Sequence, residues 1–387
     1  MEKPVPLAGN VDFFSTLSRL NGLHTPRQDR SAGLSSPLQE ITGFGSNPGN
    51  LRMFSFVPAE IAEPRALVVV LHGCGQTAAG YDLGSGWSTL ARHFRFALLF
   101  AEQRRLNNVN TCFNWFNSGD ISRGRGEACS IRQMIAHSVA LHGIDPKRIS
   151  ITGLSAGGAM TAVMLAAYPE VFAAGAIIAG LPYGVASGMR QAIHAMRQST
   201  TRSAAELGDL VRQASDHRGP WPRVSVWHGS ADPTVDPDNA DAIVRQWLNL
   251  HGLSAAPAEC SVVSGYPRRT WSADGQAIVE SFTITDMAHG TPLGLGDNDE
   301  RYGVSGAFMI EAGISSSYHI AKFFGVTDRA RPAPQTAAAH RPPPDRIEPE
   351  PAAERQVPSA AERPAPARLA WALRAILARA LKGRWKT

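Results

Sequence analysis

At 387 residues, with 43% hydrophobic and 18% charged side chains, the chain has the make-up of an ordinary globular protein with a large buried core. Its formal charge of +5 is uneven: residues 328–387 hold twelve Lys/Arg against six Asp/Glu, a net +6, which leaves −1 for everything before them. The body therefore lacks the basic excess of a nucleic-acid-binding protein, and no run approaches the ~18 apolar residues of a membrane span.

The opening MEKPVPLAGNVDFF has an early glutamate, two prolines and no continuous apolar stretch, so it does not read as a signal peptide and a cytoplasmic location is the expectation. Residues 1–40 are mixed in character and read as a loosely ordered arm. Four cysteines (Cys74, Cys112, Cys129, Cys260) are too few and too scattered for a disulfide scaffold or a zinc site; free thiols are expected, with a pairing of Cys74 and Cys112 left open.

From residue 41 the chain alternates. Short apolar runs at 66–71 (ALVVVL), 96–100 (FALLF), 148–152 (RISIT), 174–179 (AGAIIA) and 223–227 (RVSVW) read as strands, and 279–284 (VESFTI) reads as a late one. Segments at 130–141, 156–167 and 238–250 have helical spacing. Strands alternating with helices predict an α/β domain over 41–326, with a mostly parallel sheet covered by helices on both faces.

The composition changes near residue 327. Ten of the 27 prolines fall within 328–366, interleaved with Ala, Arg and Glu, which reads as a disordered linker over 327–366. It ends in ARLAWALRAILARALKGRWKT, where Leu369, Leu373, Ile376, Leu377, Ala380 and Leu381 recur at helical spacing beside Arg368, Arg374, Arg379, Lys382 and Arg384. Residues 367–387 thus read as a basic amphipathic helix, either lying on a granule or membrane surface or docking on its own domain or a partner.

The stretch ISITGLSAGGAM (149–160) places Ser155 between a strand and a helix within Gly-x-Ser-x-Gly. Such a turn holds a serine hydroxyl out at the end of a strand and sets the next amide beside a developing oxyanion. A serine needs a base to accept its proton, and the base needs an acid to orient it. Both follow in order. Asp232 comes just after RVSVW, and His289 comes just after VESFTI. Asp236 is the rival acid, less favoured because it lies further from the strand end. Asp286 reads as a surface carboxylate, and His228 and His72, each ending a strand before glycine, as loop-shaping residues.

A second oxyanion donor is expected after an early strand, and Leu71-His72-Gly73-Cys74-Gly75-Gln76 supplies the Cys74 amide to act with that of Ala156. Cys74 as a nucleophile is the weaker reading, for it lacks an elbow of its own. Gln76 and Trp115 are the substrate-contact candidates. Phe113 and Phe116 read equally as groove or core. No ligand cluster suggests a metal or cofactor.

LHGCGQTAAGYD (71–82), CFNWF (112–116), SIRQMI (130–135), GLSAGGAM (153–160), YPEVFAAGAIIAGLPYG (168–184) and WHGSADPTVD (227–236) together resemble the polyhydroxybutyrate depolymerase family of esterases, over about Asn47 to Gly325. The resemblance implies an α/β-hydrolase fold, a Ser155–His289–Asp232 triad and an oxyanion cysteine at Cys74. It also implies short-chain polyhydroxyalkanoates as substrates, with feruloyl or acetyl esters of plant polysaccharides as the alternative. Many such esterases are extracellular and carry a separate substrate-binding module, which this chain does not display. A non-catalytic granule- or membrane-binding protein on a hydrolase scaffold is the reading from another class, and its mark would be a broken triad.

Overall fold

The computed structural model describes residues 35–63, 65–257, 259–296 and 301–327. The linker expected over 327–366, apart from Thr327, and the helix expected over 367–387 lie outside them. So does most of the N-terminal arm.

The apolar runs form strands for a simple reason: β-branched residues fit a pleat covered on both sides. In β3 (Leu67–Leu71) all five residues are buried. Leu67, Val69 and Leu71 enter the core on one face of the sheet, and Val68 and Val70 enter the core on the other. Each fully buried valine contributes about 1.5–3 kcal/mol of apolar burial.

The described strands in chain order are β1 (Gln39–Ile41), β2 (Arg52–Phe56), β3, β4 (Ala97–Glu102), β5 (Ile149–Leu154), β6 (Ala174–Ile178), β7 (Arg223–Gly229), β8 (Glu259–Val263), β9 (Tyr266–Ala273), β10 (Gln276–Ile284), β11 (Thr291–Leu293) and β12 (Met309–Glu311). The first ten make one sheet in the order β1-β2-β4-β3-β5-β6-β7-β10-β9-β8. Its middle, β4-β3-β5-β6-β7-β10, is parallel throughout. Antiparallel strands flank it on both sides. Strands β11 and β12 form a separate parallel pair.

Helices cover both faces, as expected. Gly126–His142, Ala156–Ala167 and Asp238–His251 pack on one face, with Ile131, Met164 and Trp247 at the contact. Ala78–Ser85, Trp87–Phe94 and Ser316–Phe323 cover the other, with Tyr81, Trp87 and Ile320. The six strands read from sequence are all present in the parallel centre. The flanking strands β2, β8 and β9 are not legible as runs, and β1 begins two residues inside the segment expected to be an arm.

In a parallel sheet all carboxyl ends lie along one edge, and the connections leaving that edge meet there. The loops after β3, β4, β5, β7 and β10 converge in this way.

Candidate active site

Ser155 sits between β5 and the helix that begins at Ala156, at φ 56° and ψ −117°. A non-glycine residue at this positive φ costs about 1–3 kcal/mol, and the surroundings must hold it there. The Ser155 amide donates to the Ile178 carbonyl at 2.9 Å. The glycines are required by proximity. A Cβ on Gly157 would stand 2.3 Å from the Leu71 oxygen and 2.5 Å from that of His72, and one on Gly153 would stand 2.4 Å from the Gly157 oxygen. No larger residue fits. The Ser155 hydroxyl itself makes no hydrogen bond among the described residues.

His289 and Asp232 meet. His289 Nδ1 donates to Asp232 Oδ2 at 2.6 Å, and both side chains are buried. With Nδ1 carrying the hydrogen, Nε2 keeps a lone pair and is free to accept a proton. Asp232 Oδ1 accepts the amides of Thr234 (2.8 Å) and Val235 (2.9 Å), which fix the carboxylate plane. Burial alone would raise the Asp232 carboxyl. The donors from His228 and His289 outweigh it and hold the group well below the usual carboxylate range.

His228 is more than a loop-shaping residue. Its Nε2 lies 3.1 Å from Asp232 Oδ2 and 3.0 Å from the Val235 carbonyl, and because both are acceptors Nε2 carries the hydrogen. Its Nδ1 is buried without a partner. The position beside a glycine at a strand end suggested a turn, and no local pattern tells that the same ring also reaches the acid.

The rival acids are placed elsewhere. Asp236 accepts the amides of Ser199 (3.1 Å) and Asp238 (3.0 Å), closing a turn ahead of the Asp238–His251 helix. Asp286 is exposed, at φ 59°, with its amide on Ser230 Oγ.

The loop after β3 is stiff. His72 donates from Nδ1 to the Gly73 carbonyl (2.7 Å) and accepts the Gln103 amide at Nε2 (3.1 Å). Burial pushes its imidazole down, in keeping with a neutral ring. The Gly73 amide is held by Gln76 Oε1 at 2.8 Å. Gln76, a substrate-contact candidate, braces the loop through its Oε1 and is not among the residues that line the small pocket at Ser155. The amides of Cys74 and Ala156 find no acceptor among the described residues, and an oxyanion hole requires donors that are free in this way.

The expectation of four free thiols is corrected in part. Cys129 and Cys260 are free, but Cys74 and Cys112 form a disulfide, with Cα atoms 4.2 Å apart. The parallel neighbours β3 and β4 end at the same edge, so the loops that follow them meet, and the pairing that the sequence left open is made across a separation of 38 residues. The bond also removes Cys74 as a nucleophile.

Trp115 lines the pocket at Ser155 together with Phe116, Leu181, Met189, Ile193, Met196 and Val235. Phe113 is core, fully buried against the His72 ring at 5.0 Å. The space beside Ser155 is small, about 30 Å³, and lined mainly by apolar side chains. A polar cleft of about 570 Å³ adjoins it through Asn108, Phe116 and Met189.

Glu127 was not singled out in the sequence. It is buried, and its Oε1 accepts from Gln103 Nε2 (2.5 Å) and Asn114 Nδ2 (2.7 Å) while its Oε2 accepts the Asn114 amide (2.8 Å). Both ends of the 103–114 loop are thereby held to one carboxyl. Burial pushes it up to about 8, with the Asn114 amide opposing. Among the described residues no group of three or more His, Cys, Asp or Glu could hold a metal ion, and no helix is long and apolar enough to cross a membrane.

A serine on a strained strand–helix turn, with an imidazole–carboxylate pair from later strands at the carboxyl edge of the sheet, is the arrangement of a serine hydrolase with the α/β-hydrolase fold, and the relatives below make that class a carboxylic ester hydrolase. Acetyl xylan esterase from Aspergillus awamori shares the fold at a TM-score of 0.63 and 24% identity, over 75% of this chain and 99% of that one. The chain belongs to the esterase PHB depolymerase family, whose model matches residues 52–264. It is 46% identical over 291 residues to poly(3-hydroxyalkanoate) depolymerase C from Paucimonas lemoignei, covering 75% of this chain and 70% of that protein. It is 32% identical over 263 residues to an acetylxylan esterase from Coprinopsis cinerea, covering 66% and 69%.

Proposed function

We propose that the protein hydrolyses poly(3-hydroxybutyrate) and related short-chain polyhydroxyalkanoates through an acyl-serine intermediate. The observation that carries this reading is the 46% identity to a polyhydroxyalkanoate depolymerase over three quarters of the chain, against 32% to the acetylxylan esterase. The small apolar space beside Ser155 supports it, since the side branch of a 3-hydroxybutyrate unit is a single methyl group.

In this mechanism Ser155 Oγ attacks the ester carbonyl while His289 Nε2 takes its proton. The amides of Cys74 and Ala156 hold the oxyanion, and Asp232 stabilises the imidazolium. His289 returns the proton to the departing hydroxyl end of the chain. Water then attacks the acyl-serine by the same route and frees the acid.

The test is release of 3-hydroxybutyrate units from amorphous polymer, with acetylated xylan and a feruloyl ester assayed alongside. Release from polymer supports the proposal. Turnover of the plant-wall esters alone transfers the reading to a carbohydrate esterase, and turnover of none favours a binding protein.

Two further readings attach to it. The disulfide between Cys74 and Cys112 favours an oxidising compartment, and so an extracellular rather than cytoplasmic location. Cell fractionation decides this. The sequence of residues 367–387 favours attachment to a polymer granule or membrane, and deleting that segment should then move the protein from the particulate to the soluble fraction.

A further inference from the structure

The asparagines of the loop after β4 are half-buried and tied by hydrogen bonds to one another and to neighbouring loops. Asn107 Nδ2 donates to Gln103 Oε1 (2.7 Å) and to the Gly49 carbonyl (2.9 Å). Asn108 Nδ2 donates to Asn114 Oδ1 (3.0 Å), its Oδ1 accepts the Asn110 amide (3.0 Å), and the Asn110 carbonyl receives the Gly75 amide (2.8 Å). The two aliphatic residues turn outward: Leu106 is 90% exposed and Val109 is 78% exposed. They are two of the four large hydrophobic residues that stand exposed among the described residues.

Single exposed aliphatics are commonplace, but this pair has a particular address. The same loop carries Cys112, bonded to the Cys74 of the oxyanion loop, and Asn108, which lines both the pocket at Ser155 and the polar cleft beside it. Its internal hydrogen bonds and the disulfide keep the two side chains from folding back into the protein.

We propose that Leu106 and Val109 form a contact surface that seats the mouth of the active site on a solid, water-insoluble aliphatic polyester. This rests on the depolymerase reading. A solid chain cannot diffuse into a site, so the site must be brought to it. Aliphatic side chains displacing water from an apolar surface supply a non-directional attraction that tolerates an irregular substrate. A soluble ester needs no such contact.

The experiment compares the wild type, Leu106→Ser/Val109→Ser and Leu106→Ile/Val109→Ile. Adsorption to amorphous polyhydroxybutyrate particles is measured in a Ser155→Ala background, so that binding is separated from cutting. Monomer release from the particles and kcat/KM on p-nitrophenyl butyrate are measured with Ser155 intact. The expected result is about a tenfold loss of adsorption and of monomer release in the serine variant. Its soluble-ester kinetics should stay within about twofold of wild type, and the isoleucine variant should retain both binding and release.

Equal adsorption by the serine variant and the wild type overturns the proposal. So does a change of oligomeric state between them in sedimentation, which would make the pair a subunit contact, and so does wild-type adsorption to phosphatidylcholine vesicles but not to polymer. If the wild type adsorbs through this pair yet releases no monomer while cleaving the soluble ester, the depolymerase reading fails and the contact surface stands.

Discussion

His228 Nε2 stands 3.1 Å from the same Asp232 oxygen that receives His289 Nδ1 at 2.6 Å. One carboxylate oxygen thus serves two imidazoles, that of His289 and that of His228, and the second also ties the acid to the Val235 carbonyl.

Removing the anchor should cost activity before it costs fold. In His228→Leu the ring's bond to a charged acceptor is lost, an interaction of about 1.5–3 kcal/mol. The expected result is a fall in kcat of about ten- to a hundredfold with KM little changed. Asp232→Asn, by comparison, should lower kcat by about 10⁴ through the wrong imidazole tautomer. Steady-state kinetics on a short-chain p-nitrophenyl ester checks both, and an unaltered kcat in His228→Leu would reduce the ring to a turn former.

Cys74 and Cys112 couple the oxyanion loop to the loop bearing Trp115. Closing 38 residues removes unfolded-chain entropy worth about 4 kcal/mol. Cys74→Ala/Cys112→Ala should lose stability of about that order in urea unfolding. Its kcat should also drop at temperatures where the variant is still folded, because the Cys74 amide is no longer held in place. Loss of stability with intact kcat would show that the hydrogen bonds around His72 and Gln76 hold the loop unaided.

Glu127 makes a prediction in pH. Its folded carboxyl is pushed up to about 8 by burial, above the ordinary value of 4.5. Between those values the folded protein binds a proton that the unfolded chain does not. The stabilisation is full below the ordinary value and is lost as pH rises through about 8. Glu127→Gln cannot titrate, so its urea midpoint should fall less from pH 5.5 to 8.5 than that of the wild type. Parallel profiles would mean the carboxyl is ionised throughout.

The narrow pocket predicts chain-length preference. Ile193 lies in its wall on the Met189–Arg197 helix. The wild type should prefer butyrate to octanoate p-nitrophenyl esters, and Ile193→Ala should narrow that preference by about tenfold, since each buried methylene is worth ~0.8 kcal/mol. An unchanged ratio would place the acyl group elsewhere.

Much of the site was legible because its constraints are local. The Ser155 turn needs small residues at 153 and 157, and they stand in the sequence as glycines. Asp232 and His289 follow strands whose apolar runs are unmistakable. What stayed open or hidden depends on contacts between distant loops: whether Cys74 and Cys112 pair stayed open, and the bracing turn of Gln76 toward Gly73 and the shared carboxylate of His228 stayed hidden. The hairpin of β8 and β9 stayed hidden for another reason. At the sheet's edge, ECSVV and YPRRTWSA are half-exposed and keep no apolar run.

Ser155 is the nucleophile of the proposed reaction. The most direct measurement is intact-protein mass spectrometry after mixing with p-nitrophenyl butyrate and rapid acid quench, with the adduct located by peptide mapping. The account predicts a butyryl group on the peptide containing Ser155, with no adduct and turnover lower by about 10³ or more in Ser155→Ala. Undiminished turnover by Ser155→Ala, or an acyl group on another residue, would contradict it.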